Sequence, residues 1–418
     1  MQRIVIVGSS LAAVRAAETL RQNGHTGTIT LIGVEPGMPY DRPPLSKKYL
    51  AGEVDAERIA LRKPEMIDAL DITWRLGSAA VALDTSERAV TLADGSTVPY
   101  DGLIIATGGD ARTLPNVPMV EGVHTLRTKA DADALKAALS VGTRFVVIGA
   151  GFIGLEAAAT AKQLGAHVTV LEGAPAPLIR GLGAEMGTAI ASIHERNGVH
   201  IRCGVAIDGI EQAGGRVIAV RLGDGTTIVA DVVLVGIGVT PAVAWLQGSG
   251  LTLNDGVVCD AHLNAGVPGV YAAGDLLRWP NELFAHVEPV MRVEHWTNAA
   301  EQGAVAAQNL LAESRGEQLI PYSAVPFFWS DQFDARIQFI GRSHPDATVT
   351  VVAGSLEEGR FAAMYTLDDR VIAVLGVTMP KMVMPSRALL MTPTTTDRAL
   401  AHFERLKNPP PPAPKPTQ

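Results

Sequence analysis

The first 35 residues of the chain alternate between short apolar runs and one segment of helix-forming residues. Arg3–Val7 (RIVIV) is apolar and β-branched, which predicts a strand buried on both faces. Gly8-Ser9-Ser10 interrupts it, and Leu11–Gln22 has the Ala, Leu, Glu and Arg content of a helix. Gly24 stands at the expected end of that helix, and Thr28–Ile32 predicts a second strand. The pattern predicts a strand–turn–helix–strand unit.

The same pattern returns in the second third of the chain. It predicts the strand Arg144–Ile148, the turn Gly149-Ala150-Gly151, the helix Phe152–Leu164 and the strand His167–Leu171. Because two segments so far apart share one order of elements, we infer an internal duplication.

A second pair of matching segments supports the duplication. Residues 94–108 (DGSTVPYDGLIIATG) align without gaps with residues 224–238 (DGTTIVADVVLVGIG). Each predicts a hairpin turn at Asp-Gly, an extended arm and a buried strand that ends at glycine. Two such units, each with a strand at its far end, predict two tandem Rossmann-like dinucleotide-binding domains of the α/β class.

The remainder of the chain has a different pattern. Residues 317–402 contain four strand-like runs without the alternating helices of the earlier units. These runs are Arg336–Ile340, Thr348–Val352, Arg360–Tyr365 and Val371–Val377. They predict a small C-terminal α+β domain on an antiparallel sheet.

The second unit carries a complete glycine fingerprint. Gly149, Gly151 and Gly154 supply a tight turn, close approach of the backbone to a ligand, and close packing of helix on strand. The N-terminus of the following helix favours a pyrophosphate. Glu172 ends the next strand, where a carboxylate accepts hydrogen bonds from ribose hydroxyls. Since no cation follows it before Arg180, a 2′-phosphate lacks a partner, and NADH is preferred to NADPH.

The first unit departs from this pattern. Its turn reads Gly8-x-Ser10-x-x-Ala13, so a serine and an alanine replace two glycines. Both residues are small, and the serine hydroxyl can donate to a phosphate, so we expect a working site. Val34 precedes Glu35, which is the nearest carboxylate for a ribose. The alternative is a degenerate βαβ repeat that binds nothing.

Two later segments point to a flavin. Residues 269–275 (GVYAAGD) predict a strand that ends at Asp275, which can accept hydrogen bonds from a polyol, although Gly-Asp pairs also form ordinary turns. Residues 294–297 (EHWT) lead into a predicted helix over 298–312. The N-terminus of this helix can stabilise negative charge on the pyrimidine side of a reduced flavin.

Composition and charge exclude several classes of protein. A net charge of −8 argues against a general nucleic-acid binder. The two cysteines, Cys203 and Cys259, are too few for a disulfide framework, a CxxC pair or a cysteine metal site. No apolar run reaches the roughly 18 residues of a membrane span, and the N-terminus lacks a signal-peptide pattern. We therefore expect a soluble cytoplasmic protein without a metal.

Several motifs occur together in one order over about residues 3–400. They are GSSLAAVRAAETL, PYDRPPLSKKYL, IIATGG, VVIGAGFIGLEAAATAKQLGAHVTVLE, VGIGVTP, GVYAAGD, EHWTNAAEQG and FFWSDQFD. With them the chain resembles the NADH-dependent, FAD-containing ferredoxin reductases of cytochrome P450 and oxygenase systems. The resemblance implies FAD on the first unit, NADH on the second, and a C-terminal domain that helps to receive the iron–sulfur partner.

The resemblance also implies roles for particular residues. Lys47 (in PPLSK) and Trp296 lie beside the flavin, and Glu156 (in GFIGLE) lies beside the nicotinamide and pairs with that lysine. From the residues alone, a surface lysine, a helix carboxylate and a core aromatic remain open as alternatives. A lysine near the flavin favours its electron-rich reduced state. His295 is expected to be a packed or hydrogen-bonded histidine.

The other residues expected to bind a dinucleotide follow from the same motifs. They are Gly8, Ser10, Leu11, Ala12, Val34, Glu35, Arg42, Pro44, Val81, Ala106, Thr107, Gly108, Arg127, Gly149, Gly151, Phe152, Ile153, Gly154, Glu172, Gly238, Gly274, Asp275 and Glu294. The family usually has an acid at the position of Val34. The domains implied are 1–109 and 241–316 for FAD, 110–240 for NAD, 317–405 for the C-terminal domain and 406–418 for a proline-rich tail.

The missing cysteine pair separates this chain from disulfide reductases, which need one beside the flavin. Electrons must leave the flavin directly, either singly to a metal-containing partner or in pairs to oxygen or a quinone. The ferredoxin that the resemblance implies would be acidic. An NADH oxidase, a rubredoxin reductase and a non-catalytic flavoprotein similar to apoptosis-inducing factor remain as alternatives. An acidic partner requires a local basic face despite the net charge. The candidate cations are Arg336, Arg342, Arg360, Arg370, Lys381 and Arg387.

Overall fold

The structure is a computed structural model that describes residues 1–408. The apolar run Arg3–Val7 is the central strand of a five-stranded parallel sheet, here called the first parallel sheet. Its strands, in spatial order, are Val270–Ala272, Gly102–Ile105, Arg3–Val7, Thr28–Gly33 and Ile72–Leu76. Because Val270–Ala272 comes after the second unit in sequence, that unit is inserted between strands of this sheet.

The second parallel sheet repeats this plan. Its strands, in spatial order, are His200–Arg202, His167–Leu171, Arg144–Ile148, Val232–Val235 and Val123–His124. Val7 lies opposite Ile32 on one side and Ile105 on the other, while Ile148 lies between Leu171 and Val235 in the same way. The duplication predicted from the sequence is therefore present in strand order and in register.

Each unit also carries a three-stranded antiparallel sheet. One consists of Ala80–Asp84, Ala89–Leu92 and Thr97–Pro99, and the other of Ile207–Ala213, Arg216–Leu222 and Thr227–Val229. The predicted Asp-Gly turns join the last two strands of each sheet, with Gly95 and Gly225 both at a φ of 83°. Since L-residues rarely adopt this φ, glycine suits both turns.

Two predicted helices are confirmed: Leu11–Gln22 has the expected bounds, and Phe152–Gln163 ends one residue before the predicted Leu164. The α-helices are Leu11–Gln22, Pro64–Asp68, Lys129–Ala138, Phe152–Gln163, Ile179–Leu182, Ala184–Arg196, Trp296–Arg315, Pro380–Val383 and Thr396–Lys407. Short 3-10 helices span Pro43–Ser46, Ala244–Leu246, Glu282–Phe284 and Met384–Leu390. Two further small sheets lie within residues 1–408. One pairs Gly109–Ala111 with Val239–Pro241, and the other consists of Val257–Val258, Leu277–Trp279 and Met291–Arg292.

The helix predicted over 298–312 is longer than expected. It runs from Trp296 to Arg315, so Trp296 is its first residue and His295 its N-cap. It packs against Leu11–Gln22, and a Cβ on Gly303 would lie 2.2 Å from the Ala12 carbonyl oxygen. The glycine therefore permits a close approach that brings the N-termini of two helices near one another.

The C-terminal sheet is antiparallel, as predicted, but it has five strands. In spatial order they are Phe327–Gln332, Ala335–Gly341, Arg370–Val377, Arg360–Leu367 and Thr348–Ser355. The first of these was not predicted. Its buried residues include Ser330 and Gln332, so polar side chains occupy the inward positions where apolar ones would have revealed the strand.

The final helix differs from the predicted tail. Thr396–Lys407 extends two residues into the segment 406–418, because its apolar face, with Ala399 and Phe403, is buried against the rest of the chain. The proline-rich residues 409–418 lie outside the described residues. Within residues 1–408, none of the helices is both long and apolar enough to cross a bilayer.

Candidate functional site

A cleft of about 1550 Å³ lies where the glycine turns of both parallel sheets meet. All of the predicted site residues line it except Pro44, Val81 and Gly154. Pro43 and Leu45 line the cleft in place of Pro44, and Ala79 and Ala80 do so in place of Val81, whose side chain is half exposed.

The three glycines of the second fingerprint lie in different surroundings. Gly149 has a φ of +103°, and a Cβ there would lie 2.5 Å from the Gly236 carbonyl oxygen of the neighbouring strand end. A Cβ on Gly154 would lie 2.3 Å from the Gly149 carbonyl oxygen. Gly154 therefore acts behind the turn, in helix–strand packing. A Cβ on Gly151 would meet no atom within 4 Å and would project into open space at the cleft.

Glu172 stands at the rim of this second turn. Its carboxylate accepts hydrogen bonds from the backbone N–H groups of Ala150 at 2.7 Å and Ala174 at 2.8 Å. The acid is thus fixed against the turn, in a position to accept from a ribose. Arg180 also lines the cleft, and its side chain is exposed.

The first turn has the same path with different side chains. Gly8 has a φ of +124°, and a Cβ there would lie 2.1 Å from the Ala106 carbonyl oxygen. Ser10 is the N-cap of Leu11–Gln22, but its side chain makes no capping hydrogen bond. Its Oγ lies 3.4 Å from Nε of Arg42 instead. Ala13 is fully buried behind the turn, and Gly154 is buried at the matching position of the second unit.

Arg42 connects the first turn to the predicted ribose acid. Its Nη2 donates to Glu35 Oε1 at 2.7 Å, and its Nη1 donates to the Arg127 carbonyl oxygen at 2.5 Å. Tyr40 donates its hydroxyl to Glu35 Oε2 at 2.5 Å. Burial, together with this carboxylate, raises the pKa of Tyr40 well above its ordinary value, so the phenol keeps its proton. Val34 is 70% exposed at the lip of the cleft.

Arg127 and Asp275 form an ion pair in the cleft. Arg127 Nη2 lies 2.7 Å from Asp275 Oδ2, and Arg127 Nε donates to the Gly109 carbonyl oxygen. Asp275 follows the strand Val270–Ala272 closely, as the sequence predicted. A polyol placed here would find a carboxylate that is already oriented by a cation.

Lys47 and Glu156 are paired deeper in the same cleft. Lys47 Nζ lies 2.6 Å from Glu156 Oε2, and only 3% of the Glu156 side chain is exposed. Ser46 donates its hydroxyl to the same oxygen at 2.5 Å, and Ser330 donates to Oε1 at 2.6 Å. A buried carboxylate is stable only when it is paired and hydrogen-bonded, and this one has three donors.

Trp296 marks the outer end of the cleft. Its indole is 38% exposed and donates Nε1–H to Asp41 Oδ1 at 2.7 Å. Burial raises the pKa of Asp41, and the hydrogen bond from Trp296 opposes that effect. Trp329 lies edge-on to Trp296, with 6.2 Å between ring centroids. An aromatic patch therefore borders the opening of the cleft.

His295 is a packed histidine, with its ring 4.9 Å from that of Phe328. Burial, with Arg342 nearby, lowers its pKa to about 4, so it is neutral near pH 7. Its Nδ1 and the Nε1 of Trp245 are buried without hydrogen-bond partners in residues 1–408, and both residues line the cleft. These atoms, with the open space beside Gly151, fit a cleft built to hold dinucleotides such as FAD and NADH.

Comparison with known proteins shows the family to which this chain belongs. A model of the pyridine nucleotide-disulphide oxidoreductases matches residues 2–303, and a reductase C-terminal model matches residues 327–404. Rhodocoxin reductase of Rhodococcus erythropolis is 38% identical over 402 residues, covering 95% of this chain and 91% of its own. The ferredoxin reductase subunit of 5,5'-dehydrodivanillate O-demethylase from a Sphingobium species is 39% identical over 401 residues, 94% of each chain.

A solved structure agrees with these relatives. The covalent putidaredoxin reductase–putidaredoxin complex superposes with a TM-score of 0.89 at 34% identity, covering 97% of this chain and 98% of that one. This chain belongs to the ferredoxin reductases of the pyridine nucleotide-disulphide oxidoreductase family. FAD would be held by the first turn with Arg42, Arg127 and Asp275, and the pyridine nucleotide by the second turn with Glu172.

The cysteines of this ferredoxin reductase are both free. Neither lines the cleft. Burial raises the pKa of each thiol, so both favour the unreactive protonated form. The described part of the chain also has no cluster of three or more His, Cys, Asp or Glu that could hold a metal.

Four of the six candidate cations are divided between two ends of the C-terminal sheet. Strand register places Arg336 and Arg360 at the end of the C-terminal sheet beside Val377, whereas Arg342 and Arg370 lie at the opposite end. Arg342 lines the cleft and pairs with Glu288 at 2.7 Å. Antiparallel pairing separates residues that the sequence suggested as one group.

Sequence reasoning missed several residues of the site. Ser46, Asp41, Trp329 and Ser330 make the contacts described above, and none was singled out. Ser46 adjoins Lys47 within PPLSK, and Trp329 and Ser330 lie within FFWSDQFD. The motifs therefore held the signal, but only the tertiary structure brings FFWSDQFD against Glu156.

Proposed function

We propose that this chain takes electrons from NADH and passes them to an iron–sulfur ferredoxin that supplies a cytochrome P450 or a Rieske oxygenase. FAD, when bound, can accept a hydride from a pyridine nucleotide and give up its electrons singly. The observation that carries the proposal is the Lys47–Glu156 pair, which lies in the cleft shared by the two glycine turns.

The residues of the chain have separable tasks in this function. Lys47 places a positive charge in the cleft, and Glu156 balances it. The second turn and Glu172 hold the nucleotide, so that its nicotinamide can lie toward Glu156. Trp296 and Trp329 border the opening of the cleft. The absence of a cysteine at the cleft, among residues 1–408, favours a partner that accepts electrons without a disulfide relay.

Preference for NADH over NADPH belongs to the same proposal. Glu172 is fixed by two backbone N–H groups at the place where a 2′-phosphate would approach. A 2′-phosphate bound there would be repelled by the carboxylate, and Glu172 cannot turn away without losing both hydrogen bonds.

The test uses the purified FAD-loaded protein. Rapid-mixing absorbance measures its reduction by NADH and by NADPH, and steady-state turnover is then measured with purified ferredoxins and cytochrome c as the final acceptor. We expect fast reduction by NADH and a rate of cytochrome c reduction that depends on ferredoxin concentration. Rapid consumption of oxygen without ferredoxin would indicate an NADH oxidase. Slow turnover with a long-lived NADH complex would indicate a non-catalytic flavoprotein.

A further inference from the structure

A chain of buried polar side chains leads away from Glu156 into the C-terminal sheet. Ser330 Oγ lies 2.6 Å from Glu156 Oε1, and Gln332 Nε2 lies 3.0 Å from Ser330 Oγ. Gln332 Oε1 in turn lies 2.8 Å from Nε2 of His194. Ser330, Gln332 and His194 are each at most 1% exposed. Such a chain is unusual in a core, because each buried polar group costs free energy unless it is hydrogen-bonded.

The charge of Glu156 sets the direction of every hydrogen bond in this chain. Glu156 is ion-paired with Lys47, so its carboxylate accepts and has no proton to give. Ser330 must therefore donate to it, which leaves the serine oxygen to accept from Gln332 Nε2. The amide oxygen of Gln332 then faces His194, whose Nε2 carries the proton.

His194 is the donor at the end of this chain that lies farthest from Glu156. Burial lowers its pKa, and its Nδ1 has no partner in the described residues, as expected of a neutral ring with one N–H. Phe333 packs edge-on against the ring at 5.1 Å between centroids. The chain thus begins at a neutral donor and ends on a carboxylate, with all its hydrogen bonds pointing one way.

The two oxygens of Glu156 are held by different parts of the molecule. Oε2 accepts from Ser46 and Lys47, which belong to the 3-10 helix Pro43–Ser46 and its C-cap. Oε1 accepts from Ser330, and no other side chain within residues 1–408 hydrogen-bonds it. Loss of Ser330 would leave one oxygen of a buried carboxylate without a donor and free the group to rotate.

The strand that carries Ser330 is well placed to fix this geometry. Phe328, two residues earlier and on the same face, packs against Phe152 at the start of the Glu156 helix, with 4.6 Å between ring centroids. Trp329, on the other face, points to the opening of the cleft beside Trp296. One strand therefore contacts both the buried carboxylate and the outer aromatic patch.

We infer that Ser330, supported by Gln332 and His194, is a positioning residue that holds Glu156 in the orientation needed for electron transfer from the pyridine nucleotide. The inference rests on the proposed function for its kinetic consequence. Its structural consequence, the fixed orientation of Glu156, does not depend on that function.

The experiment compares Ser330→Ala, which removes the donor, with Ser330→Thr, which keeps a hydroxyl. Ser386→Ala is the matched control, because Ser386 is another fully buried serine of the C-terminal region that donates to a backbone carbonyl, that of Met382. All variants are loaded with FAD, and their FAD content and thermal midpoint are recorded first. Gln332→Met provides a second variant, which leaves Ser330 without its own donor.

Kinetics give the first readout. In rapid mixing with NADH, Ser330→Ala should lower the limiting reduction rate about tenfold, the loss expected for one hydrogen bond to a charged group. The NADH dissociation constant should change by less than about twofold, because Glu156 is not part of the pyrophosphate site. Ser330→Thr and Ser386→Ala should be reduced by NADH at the wild-type rate. The limiting reduction rate of Gln332→Met should lie between that rate and the rate of Ser330→Ala.

Crystal structures of the variants give the second readout, which does not depend on turnover. The Glu156 carboxylate should move or occupy two orientations in Ser330→Ala and keep its position in Ser330→Thr. An unmoved carboxylate, an unchanged reduction rate in Ser330→Ala, or an equal loss in Ser386→Ala would overturn the inference. If the wild-type protein is not reduced by NADH, the proposed function fails, and the crystal structures still decide the role of Ser330.

Discussion

The two glycine turns of this protein have the same backbone path and different side chains. Gly8 and Gly149 both have positive φ, and a Cβ on either would lie 2.5 Å or less from a carbonyl oxygen of the neighbouring strand end. The first position of each turn therefore requires glycine, because the neighbouring strand end lies too close for a Cβ atom. The second position is open at Gly151 but holds a serine beside Arg42 in the first unit. Duplication preserved what the backbone requires and let the ligand-facing position diverge.

A side chain at Gly151 would fill the open position of the second turn, and it should have the largest effect of the changes considered. Gly151→Glu should weaken NADH binding by about a hundredfold or more, because bulk and negative charge would occupy the expected path of the pyrophosphate. Gly151 has a φ of −79°, which any residue adopts, so the fold and the FAD content should be retained. NADH titration of the FAD-loaded protein measures the effect. Wild-type affinity for NADH would show that this turn does not hold the nucleotide.

Removing the cation of the first turn is expected to have the next largest effect. Arg42→Ala should raise the FAD dissociation constant about thirtyfold. The loss of one charge-assisted hydrogen bond to the cofactor costs about 2 kcal/mol, which corresponds to that factor. The change also leaves Glu35 and Ser10 without this partner. Fluorescence titration of the apoprotein with FAD provides the value. Arg216→Ala, which removes a surface ion pair with Glu121, is the matched control and should leave FAD affinity unchanged.

The acids beside the two turns can be compared in the same way. Glu172→Ala should reduce the preference for NADH over NADPH by about tenfold, because the repulsion of a 2′-phosphate is removed. Glu35→Ala, at the first turn, should leave that preference as it is. Reduction rates at several concentrations of each nucleotide supply both numbers. An unchanged preference in Glu172→Ala would place the origin of specificity elsewhere.

The smallest effect is expected where the two turns are made alike. Ser10→Gly restores the glycine pattern of the second turn. It should change the FAD dissociation constant by no more than about threefold, because glycine keeps the backbone N–H groups and the helix N-terminus that favour a pyrophosphate. The same fluorescence titration measures it. A much weaker FAD complex would show that the Ser10 hydroxyl binds the cofactor directly.

Much of the fold could be predicted because its signals are local. Strands buried on both faces are continuous apolar runs, so Arg3–Val7 and Arg144–Ile148 could be placed to the residue. The strand Phe327–Gln332 could not be placed, since its inward residues Ser330 and Gln332 are polar. Their partners, Glu156 and His194, are 174 and 138 positions away in the chain. No local pattern can show that such residues are hydrogen-bonded to one another.

The duplication, the two glycine turns, the missing cysteine pair and the motifs of the ferredoxin reductases could all be predicted without coordinates, because each depends on residue type and spacing along the chain. How Glu156 is held, and the positions of four candidate cations at opposite ends of the C-terminal sheet, follow from the tertiary structure alone. Both depend on which distant strands become neighbours. A carboxylate buried at the meeting point of three parts of the chain takes its environment from packing, and packing is fixed only when the whole core forms.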